Sequence, residues 1–365
     1  MWDAIKIICV RFCCKKVKSG YHLTMQLDHP RALPSERKKA TPVMVVGIFF
    51  LLLTLLIVSF SIQDTFNINP TSDLYIYNLL YNSADFFELS DFVSNMPYEP
   101  LFLVFVKGFS AIGLPLSVFL MTLSVFFYLS LYNLFLRFAP GWYTTMGILL
   151  VVSIYFPFNY SLNQIVIRQG WAVCFLFYAL AFLFNHINSK GKEKIKNFVL
   201  FFIFGVLAVL FHYSALVVLV LAFFSLRIKP KYMIMIWMFT AISYVVDHIG
   251  LQGILRAYLY PLVEANSSLR VDISTYQIGF KLNFFVLSSI PFVLWMIATR
   301  RGVASQGFNQ IMSVYLAVNA FSMLLSLMPY HDRFFTYGWV LIPIVMASFV
   351  YEMGYVQRAR MMAKA

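Results

Sequence analysis

An arginine in an apolar stretch is the residue of this chain whose type and position most strongly predict chemistry. Arg168 stands near the start of IVIRQGWAVCFLFYALAFLF, a run long enough for a helix that crosses a bilayer. A charge inside a membrane costs about 2.5 kcal/mol or more unless it meets a partner or water, so it is a functional candidate by default. A planar guanidinium can hold a phosphate through two hydrogen bonds. Arg168 therefore predicts an anion site, and a structural ion pair with an acidic residue is the alternative.

Two more ionisable residues interrupt apolar segments. Glu99 opens the segment EPLFLVFV, where an ionised carboxylate is costly. It could be a general base with a raised pKa, or it could pair with Arg168 or Arg333 for structural reasons. His212 lies in FHYSA, inside a long apolar run. It is either a base or phosphate ligand, or a histidine that makes a structural hydrogen bond.

A compact polar triplet, HDR, lies between the last two apolar runs. Arg333 adjoins the apolar run and is the strongest of the three candidates for anion binding. His331 and Asp332 would assist substrate binding beside it. The alternative is an ordinary turn whose charges are solvated and paired with one another.

Amide, tyrosine and carboxylate side chains supply candidate substrate contacts. Gln164 shares a helical face with Arg168, and Gln169 is adjacent to it. Earlier in the chain, Asp73, Tyr77 and Tyr81 recur every four residues, as does Asp85, which predicts one helical face. Carboxylates accept hydrogen bonds from sugar hydroxyls, and aromatic rings pack on the C–H face of a sugar ring. An interfacial helix with tyrosines at the headgroup level is the alternative.

The composition indicates which elements must position these residues. Of the 365 residues, 61% are hydrophobic and only 12% are charged, whereas soluble domains carry about 25% charged residues. Helices and closed barrels are the structures that satisfy backbone groups in lipid, and long apolar runs argue against a barrel. We predict an all-α, polytopic transmembrane bundle of about eight to ten hydrophobic helices, some of them short, re-entrant or broken, with the site on external loops.

The basic residues predict the orientation of the chain. The net charge of +13 comes from short clusters between apolar runs, which is the positive-inside pattern rather than a nucleic-acid surface. We expect a basic cytoplasmic tail over residues 1–42, a membrane domain over 43–352 and a basic cytoplasmic tail over 353–365. Both termini would be cytoplasmic.

Individual segments follow from the same pattern. Residues 43–62 and 142–157 are predicted spans, and 99–113 is too short to span comfortably, so it would be re-entrant or interfacial. Basic residues flank 197–226 on both sides, which predicts a hairpin of two short helices with His212 near its tip. MPYHDRF would turn on the outside.

Several classes of site have no support in the sequence. There is no HExxH motif, no paired CxxC motif, no calcium loop and no GxxxxGK[ST] phosphate loop. We therefore expect no metal, no cofactor and no nucleotide-driven transport by this chain alone. The four cysteines do not form a framework, and we expect them to be reduced.

Five segments, in this order, carry a resemblance to a known family. They are DLYIYNLLY, YEPLF, NQIVIRQGWA, FHYSA and a late arginine, Arg333, before the last span. Over residues 43–352 the chain resembles the EpsG family of Wzy-like polysaccharide polymerases. It departs from the family in the longer spacing of NQIVIRQ and in its long N-terminal tail.

The resemblance implies a function at the outer face of the bacterial cytoplasmic (inner) membrane. Polyprenyl-diphosphate-linked oligosaccharide repeat units would be joined into a surface polysaccharide, such as O-antigen, capsule or exopolysaccharide. Arg168 and Arg333 would bind the diphosphate, and Glu99 or His212 would take the proton of the acceptor hydroxyl. Asp73, Tyr77 and Tyr81 would bind the sugar. Membrane lipids, a chain-length regulator and a flippase are the implied partners.

Three alternatives stay open at this point. A lipid-linked glycan transporter or flippase would need polar sites on both sides of the membrane, whereas the polar segments here collect on one side. Another membrane transferase, such as an O-antigen ligase or an acyltransferase, would share part of the chemistry. A structural subunit of an export complex would tolerate Arg168→Ala.

Overall fold

The computed structural model describes residues 73–139, Gly147, 166–246, 279–328 and 331–362. Every regular element in these ranges is helical. Among the described residues, five helical segments are long and apolar enough to cross a membrane, and three shorter helices are also apolar. The chain is a multi-pass helical membrane protein, as predicted. The predicted span 43–62 lies outside the described residues, and of the predicted span 142–157 only Gly147 is described.

The first part of the described chain forms α1 (Asp73–Ser83), α2 (Leu89–Asn95), α3 (Pro100–Ala111), α4 (Leu116–Phe138), α5 (Ile167–Asn188) and α6 (Gly191–Phe211). The second part forms α7 (Ala215–Ser225), α8 (Pro230–Val246), α9 (Leu282–Arg300), α10 (Gln306–Leu324), α11 (His331–Trp339) and α12 (Ile342–Met362). Helix α3, which covers most of 99–113, has only 12 residues, in agreement with the short element predicted there. Helix α12 continues past the domain boundary predicted at residue 352.

Helix α5 is the centre of the bundle. In the most apolar 18-residue stretch of α5, 72% of the residues are buried within the protein, compared with 22% in the corresponding stretch of α6 and 17% in that of α9. Helices α4, α6 and α7 pack against α5, while α10 contacts α8, α7 and α11. The more exposed apolar faces of α6 and α9 suit contact with lipid. The start of α5, where Arg168 lies, is therefore held in place by several neighbouring helices.

Helices α6 and α7 form an antiparallel hairpin with His212 in the break between them. A Cβ atom on Gly205 would lie 3.2 Å from Leu219 Cδ1, and the rings of Phe201 and Phe223 stack with centroids 6.3 Å apart. Both pairs are symmetric in sequence about His212, as an antiparallel hairpin requires. The predicted hairpin and its tip are confirmed, but the prediction of two short limbs is wrong. Helix α6 begins at Gly191, within the lysine-rich segment, and has 21 residues.

The basic loops and the predicted site residues lie at opposite ends of the central helix. Arg168 is the second residue of α5, and Lys190 lies two residues after its last residue, Asn188, so the two are separated by about 30 Å along the helix axis. At the lysine end, Arg137 donates to the side chain of Asn185. Asn188 of the same end contacts Gln310 at the start of α10.

The segment predicted to turn around HDR is instead the start of a helix. Helix α11 begins at His331, so all three polar residues lie in its first turn. Nδ1 of His331 lies 3.0 Å from the carbonyl oxygen of Met328, and Asp332 is favourably placed at the positive end of the helix dipole. The prediction of a turn through these residues is therefore wrong.

Candidate functional site

Three ionisable side chains from distant parts of the chain meet at one end of the bundle. Nη1 of Arg168 donates to Oε2 of Glu99 over 2.6 Å, and Nδ1 of His212 lies 2.7 Å from Oε1 of the same carboxyl group. Glu99 therefore connects Arg168 to His212. Only 4% of the Glu99 side chain is exposed, against 14% for Arg168 and 13% for His212.

Each member of this triad stands where a helix begins or ends. Glu99 is the N-cap residue of α3, and Pro100 takes the first helical position, where its missing N–H costs nothing. Arg168 is in the first turn of α5. His212 is the C-cap of α6 and has an extended backbone, with its N–H bonded to the carbonyl of Ala208. All three side chains thus extend from helix ends and meet at the carboxyl group of Glu99.

Two tyrosines hold the guanidinium of Arg168 in place. Its Nε donates to the hydroxyl of Tyr77 over 3.2 Å, and its Cζ lies 4.8 Å from the centre of the Tyr98 ring. The rings of Tyr77 and Tyr98 are themselves 6.4 Å apart. Together with Glu99, these contacts give the guanidinium a defined orientation before any ligand arrives.

An aromatic cluster lies beneath the triad and contacts all three of its elements. Phe105 of α3 lies 5.3 Å from Trp171 of α5 and 4.9 Å from Phe211, measured between ring centroids. Trp171 stacks on Phe211 at 5.5 Å. Phe211 directly precedes His212, and Trp171 lies one helical turn after Arg168. The cluster thus fixes the relative positions of α3, α5 and the hairpin tip.

The environment favours an ionised Glu99 and a neutral His212, both of which lie outside the candidate spans. Burial acts to raise the pKa of Glu99, but the hydrogen bond from His212 and the charge of Arg168 outweigh it and lower that pKa to about 2. Burial lowers the pKa of His212, and the charges of Arg168 and Arg333 add to this, against the opposing effect of Glu99. A neutral imidazole that donates from Nδ1 keeps Nε2 as a proton acceptor.

The second predicted arginine lies beside the triad. The charge of Arg333 acts on both His212 and Tyr337. Its backbone carbonyl accepts a 2.6 Å hydrogen bond from Nε2 of Gln169, the residue that follows Arg168. Helices α5 and α11 are therefore tied together at the positions of the two arginines.

Three residues that the sequence analysis did not select belong to this region. Tyr98 packs on Arg168, as described above, and the Ser214 hydroxyl lies 3.0 Å from that of Tyr337. Each of them had a signal in the sequence. Tyr98 precedes Glu99, Ser214 belongs to the FHYSA segment, and Tyr337 follows Arg333 by one helical turn.

The residues predicted to bind sugar make different contacts within the protein. Tyr77 and Tyr81 are both buried on the same face of α1. Tyr77 reaches Arg168, whereas the hydroxyl of Tyr81 donates to the Leu114 carbonyl over 2.6 Å and joins α1 to the turn before α4. Asp85 lies beyond α1, in a 3-10 turn, and accepts from Ser110. Of the predicted face, Tyr77 and Tyr81 are thus directed into the protein, whereas Asp85 is exposed.

The other predicted ligands are placed as follows. Asp73 is the first residue of α1, and Gln164 lies outside the described residues. Gln169 is fully buried, and its Oε1 has no hydrogen-bond partner. His331 is also fully buried, and Asp332 is half-buried. Substrate binding by each of these residues stays a prediction.

No group of three or more His, Cys, Asp or Glu side chains suited to a metal ion occurs among the described residues. The triad and Arg333 draw their charges from arginine and glutamate. These four residues carry one net positive charge when Glu99 is ionised and His212 is neutral, and Asp332 lies beside Arg333 in α11. The arrangement can therefore bind an anion next to a proton acceptor.

Comparison with known proteins gives one match. No curated protein and no solved structure shows significant similarity to this chain. The family model described as the EpsG family matches residues 48–363, a range that contains every member of the triad and Arg333. The chain belongs to the EpsG family.

Proposed function

We propose that this protein is a membrane glycosyltransferase that polymerises polyprenyl-diphosphate-linked oligosaccharide repeat units into a surface polysaccharide. The observation that carries the proposal is the cluster of Arg168, Glu99 and His212, with contacts of 2.6 and 2.7 Å, in a member of the EpsG family. The cluster lies at the end of α5 opposite the lysine-rich loop. By the positive-inside rule that end faces the outside of the cytoplasmic membrane.

The proposed reaction transfers a growing glycan from its lipid carrier to the next unit. A hydroxyl oxygen of the acceptor sugar forms a bond to the anomeric carbon of the donor glycan. The bond from that carbon to the diphosphate oxygen breaks, and its electron pair leaves with the polyprenyl diphosphate. The proton of the acceptor hydroxyl passes to Nε2 of His212.

Arg168 and Arg333 would bind the diphosphate and stabilise the negative charge that develops on it. Arg168 suits this role because Tyr77, Tyr98 and Glu99 already orient its guanidinium. The guanidinium groups of Arg168 and Arg333 would attract the diphosphate into a largely buried region, where charge interactions are strong.

Glu99 acts in this proposal as the residue that orients the base, not as the base itself. Its pKa of about 2 makes it a poor proton acceptor. Its contact with Nδ1 of His212 selects the imidazole tautomer that has an unprotonated Nε2. A carboxylate that orients a histidine in this way also stabilises the imidazolium formed after proton transfer.

A glycan transporter is the competing function that the same residues could serve. A transporter exposes its substrate site to both sides in turn, whereas Arg168, His212 and Arg333 gather at one end of the bundle. This asymmetry supports transfer chemistry. A ligase would share that chemistry and differ in its acceptor. The reaction products are therefore needed to distinguish a ligase from a polymerase.

The experiment measures glycan chain length in a deletion strain complemented with the wild type, Arg168→Ala or the exposed-residue control Lys196→Ala, with membrane levels of each protein compared. We expect long chains with the wild type and the control, and single repeat units with Arg168→Ala. Normal chain lengths in the deletion strain would reject polymerisation. Loss of the glycan from its final acceptor, with long chains still on the lipid, would indicate a ligase.

A further inference from the structure

A hydrogen bond joins the hairpin tip to the helix that carries Arg333. The hydroxyls of Ser214 and Tyr337 lie 3.0 Å apart. Ser214 is two residues after His212, at the start of α7. Tyr337 is four residues after Arg333 in α11, so the two side chains lie on the same face of that helix. The bond thus connects a residue close to His212, the proposed base, with a residue close to Arg333.

The surroundings of Tyr337 favour a closed contact. Its side chain is fully buried, and a buried hydroxyl without a partner is unfavourable. The charges of Glu99 and Arg333 both act on its hydroxyl group. The hydroxyl therefore lies close to the ionic groups of the site without belonging to the triad.

A second contact at the same place ties α11 to α5. Gln169 Nε2 donates to the backbone carbonyl of Arg333, and Gln169 follows Arg168 directly. Since Glu99, at the start of α3, links Arg168 to His212, the four contacts form a closed circuit. It runs from α5 to the hairpin tip, from the tip to α11, and from α11 back to α5.

We propose that Ser214 and Tyr337 are positioning residues that hold His212 and Arg333 at the separation needed for one substrate to meet both. This inference rests on the proposed function, because it assigns the hydroxyl pair a role in the same transfer reaction. The aromatic cluster and Glu99 hold the tip against α3 and α5. The hydroxyl pair adds the contact that sets the position of the tip relative to α11.

The expected effect of losing the contact is on turnover rather than on substrate affinity. A displacement of about 1 Å between reacting groups can lower a rate on the order of a hundredfold. Removal of one hydroxyl leaves the aromatic ring and the helix packing in place, so we expect a smaller loss of about tenfold in kcat. KM for the lipid-linked unit should change little.

The test uses membrane vesicles that contain the full-length protein, with polyprenyl-diphosphate-linked repeat units isolated from the deletion strain as substrate. Tyr337→Phe, Ser214→Ala and the double variant remove the contact, and Ser214→Thr retains a hydroxyl. Tyr178→Phe is the matched control, since Tyr178 also lies in a membrane helix and its ring stacks on Phe204. Initial elongation rates give kcat and KM, and unfolding temperatures in detergent are measured for each variant.

The proposal expects lower kcat in both single variants, no further loss in the double variant, and recovery in Ser214→Thr. A wild-type kcat in Tyr337→Phe would overturn it, and so would a fall in unfolding temperature with kcat unchanged. If wild-type vesicles do not elongate the substrate at all, the proposed function itself fails. If the wild type elongates while Tyr337→Phe matches it, only the positioning role fails.

Discussion

Glu99 contacts His212 and Arg168 through different oxygens of one carboxyl group, with His212 Nδ1 2.7 Å from Oε1. The carboxylate is almost fully buried, so neither partner can be replaced by water at low cost. This geometry links the group that we assign to proton transfer with the group that we assign to diphosphate binding. A change at Glu99 should therefore affect both functions at once.

Glu99→Gln should shift the acidic limb of the pH–rate profile to lower pH. The negative charge of Glu99 raises the pKa of His212, so its removal lowers that pKa, and the imidazole stays neutral at lower pH. The plateau rate should fall as well, because a weaker base accepts the proton less readily. The measurement is kcat against pH in vesicles of the wild type and the variant. An unmoved acidic limb would contradict the assignment of His212 as the base.

Arg168→Lys should abolish most of the activity although the positive charge remains. A lysine ammonium cannot reproduce the planar arrangement that contacts Tyr77, Glu99 and the ring of Tyr98 together. We expect elongation to fall on the order of a hundredfold. The matched control is Arg227→Lys, at an arginine that also packs on an aromatic ring, at 3.7 Å from Phe223, but at the other end of the hairpin.

Elongation by Arg168→Lys and by Arg227→Lys is compared as the ladder of products on a gel, at equal membrane levels of the two variants. Arg227→Lys should retain long chains. Equal activity of Arg168→Lys and the wild type would show that a point charge is sufficient. The oriented guanidinium would then have no role in the reaction.

Gly205→Leu should impair the reaction from inside the hairpin. A Cβ atom at this position would already lie 3.2 Å from Leu219 Cδ1, so a longer side chain must separate α6 from α7 and displace the tip. We expect a loss of about tenfold in elongation rate. Gly108→Leu is the control, because a Cβ there meets no atom within 4 Å. Similar rates for the two variants would argue against a fixed hairpin.

Asn319→Ala should lower stability rather than chemistry. The amide of Asn319 is fully buried, accepts from Trp237 Nε1 at 2.8 Å and donates to Ser288 Oγ at 2.9 Å. Its removal leaves Trp237 Nε1 without that acceptor, at a cost of about 1–3 kcal/mol. The unfolding temperature in detergent should fall, whereas Asn82→Ala at an exposed helix position should leave it nearly unchanged. No difference between the two would show that the buried network contributes little.

The sequence predicted the charged members of the site because a charge in an apolar run is rare. Arg168, Glu99 and His212 each interrupt such a run, and the positive-inside pattern predicted that they lie opposite the basic loops. The pairing itself could not be predicted, since the contacts join residues that are 69 and 113 positions apart. The choice for Glu99 between Arg168 and Arg333 depended on that packing.

Uncharged polar residues gave no comparable signal. Apart from their nearness in sequence to His212 and Arg333, Ser214 and Tyr337 resemble the other hydroxyl residues of this chain. The prediction of a turn at HDR failed because consecutive polar residues between apolar runs usually mark a loop. Here His331 is fully buried, near the rings of Phe284 and Phe335, and the helix begins at that residue.

The order of the triad along the chain has a consequence for biogenesis. The ribosome completes Glu99 69 residues before Arg168, so the buried arginine enters the membrane when its counter-charge has already been synthesised. The tie between Gln169 and Arg333 spans 164 residues and closes only when the last part of the chain is inserted. A nascent or truncated protein would thus contain Arg168 paired with Glu99, and the proposed site would be complete only after α11 has been inserted.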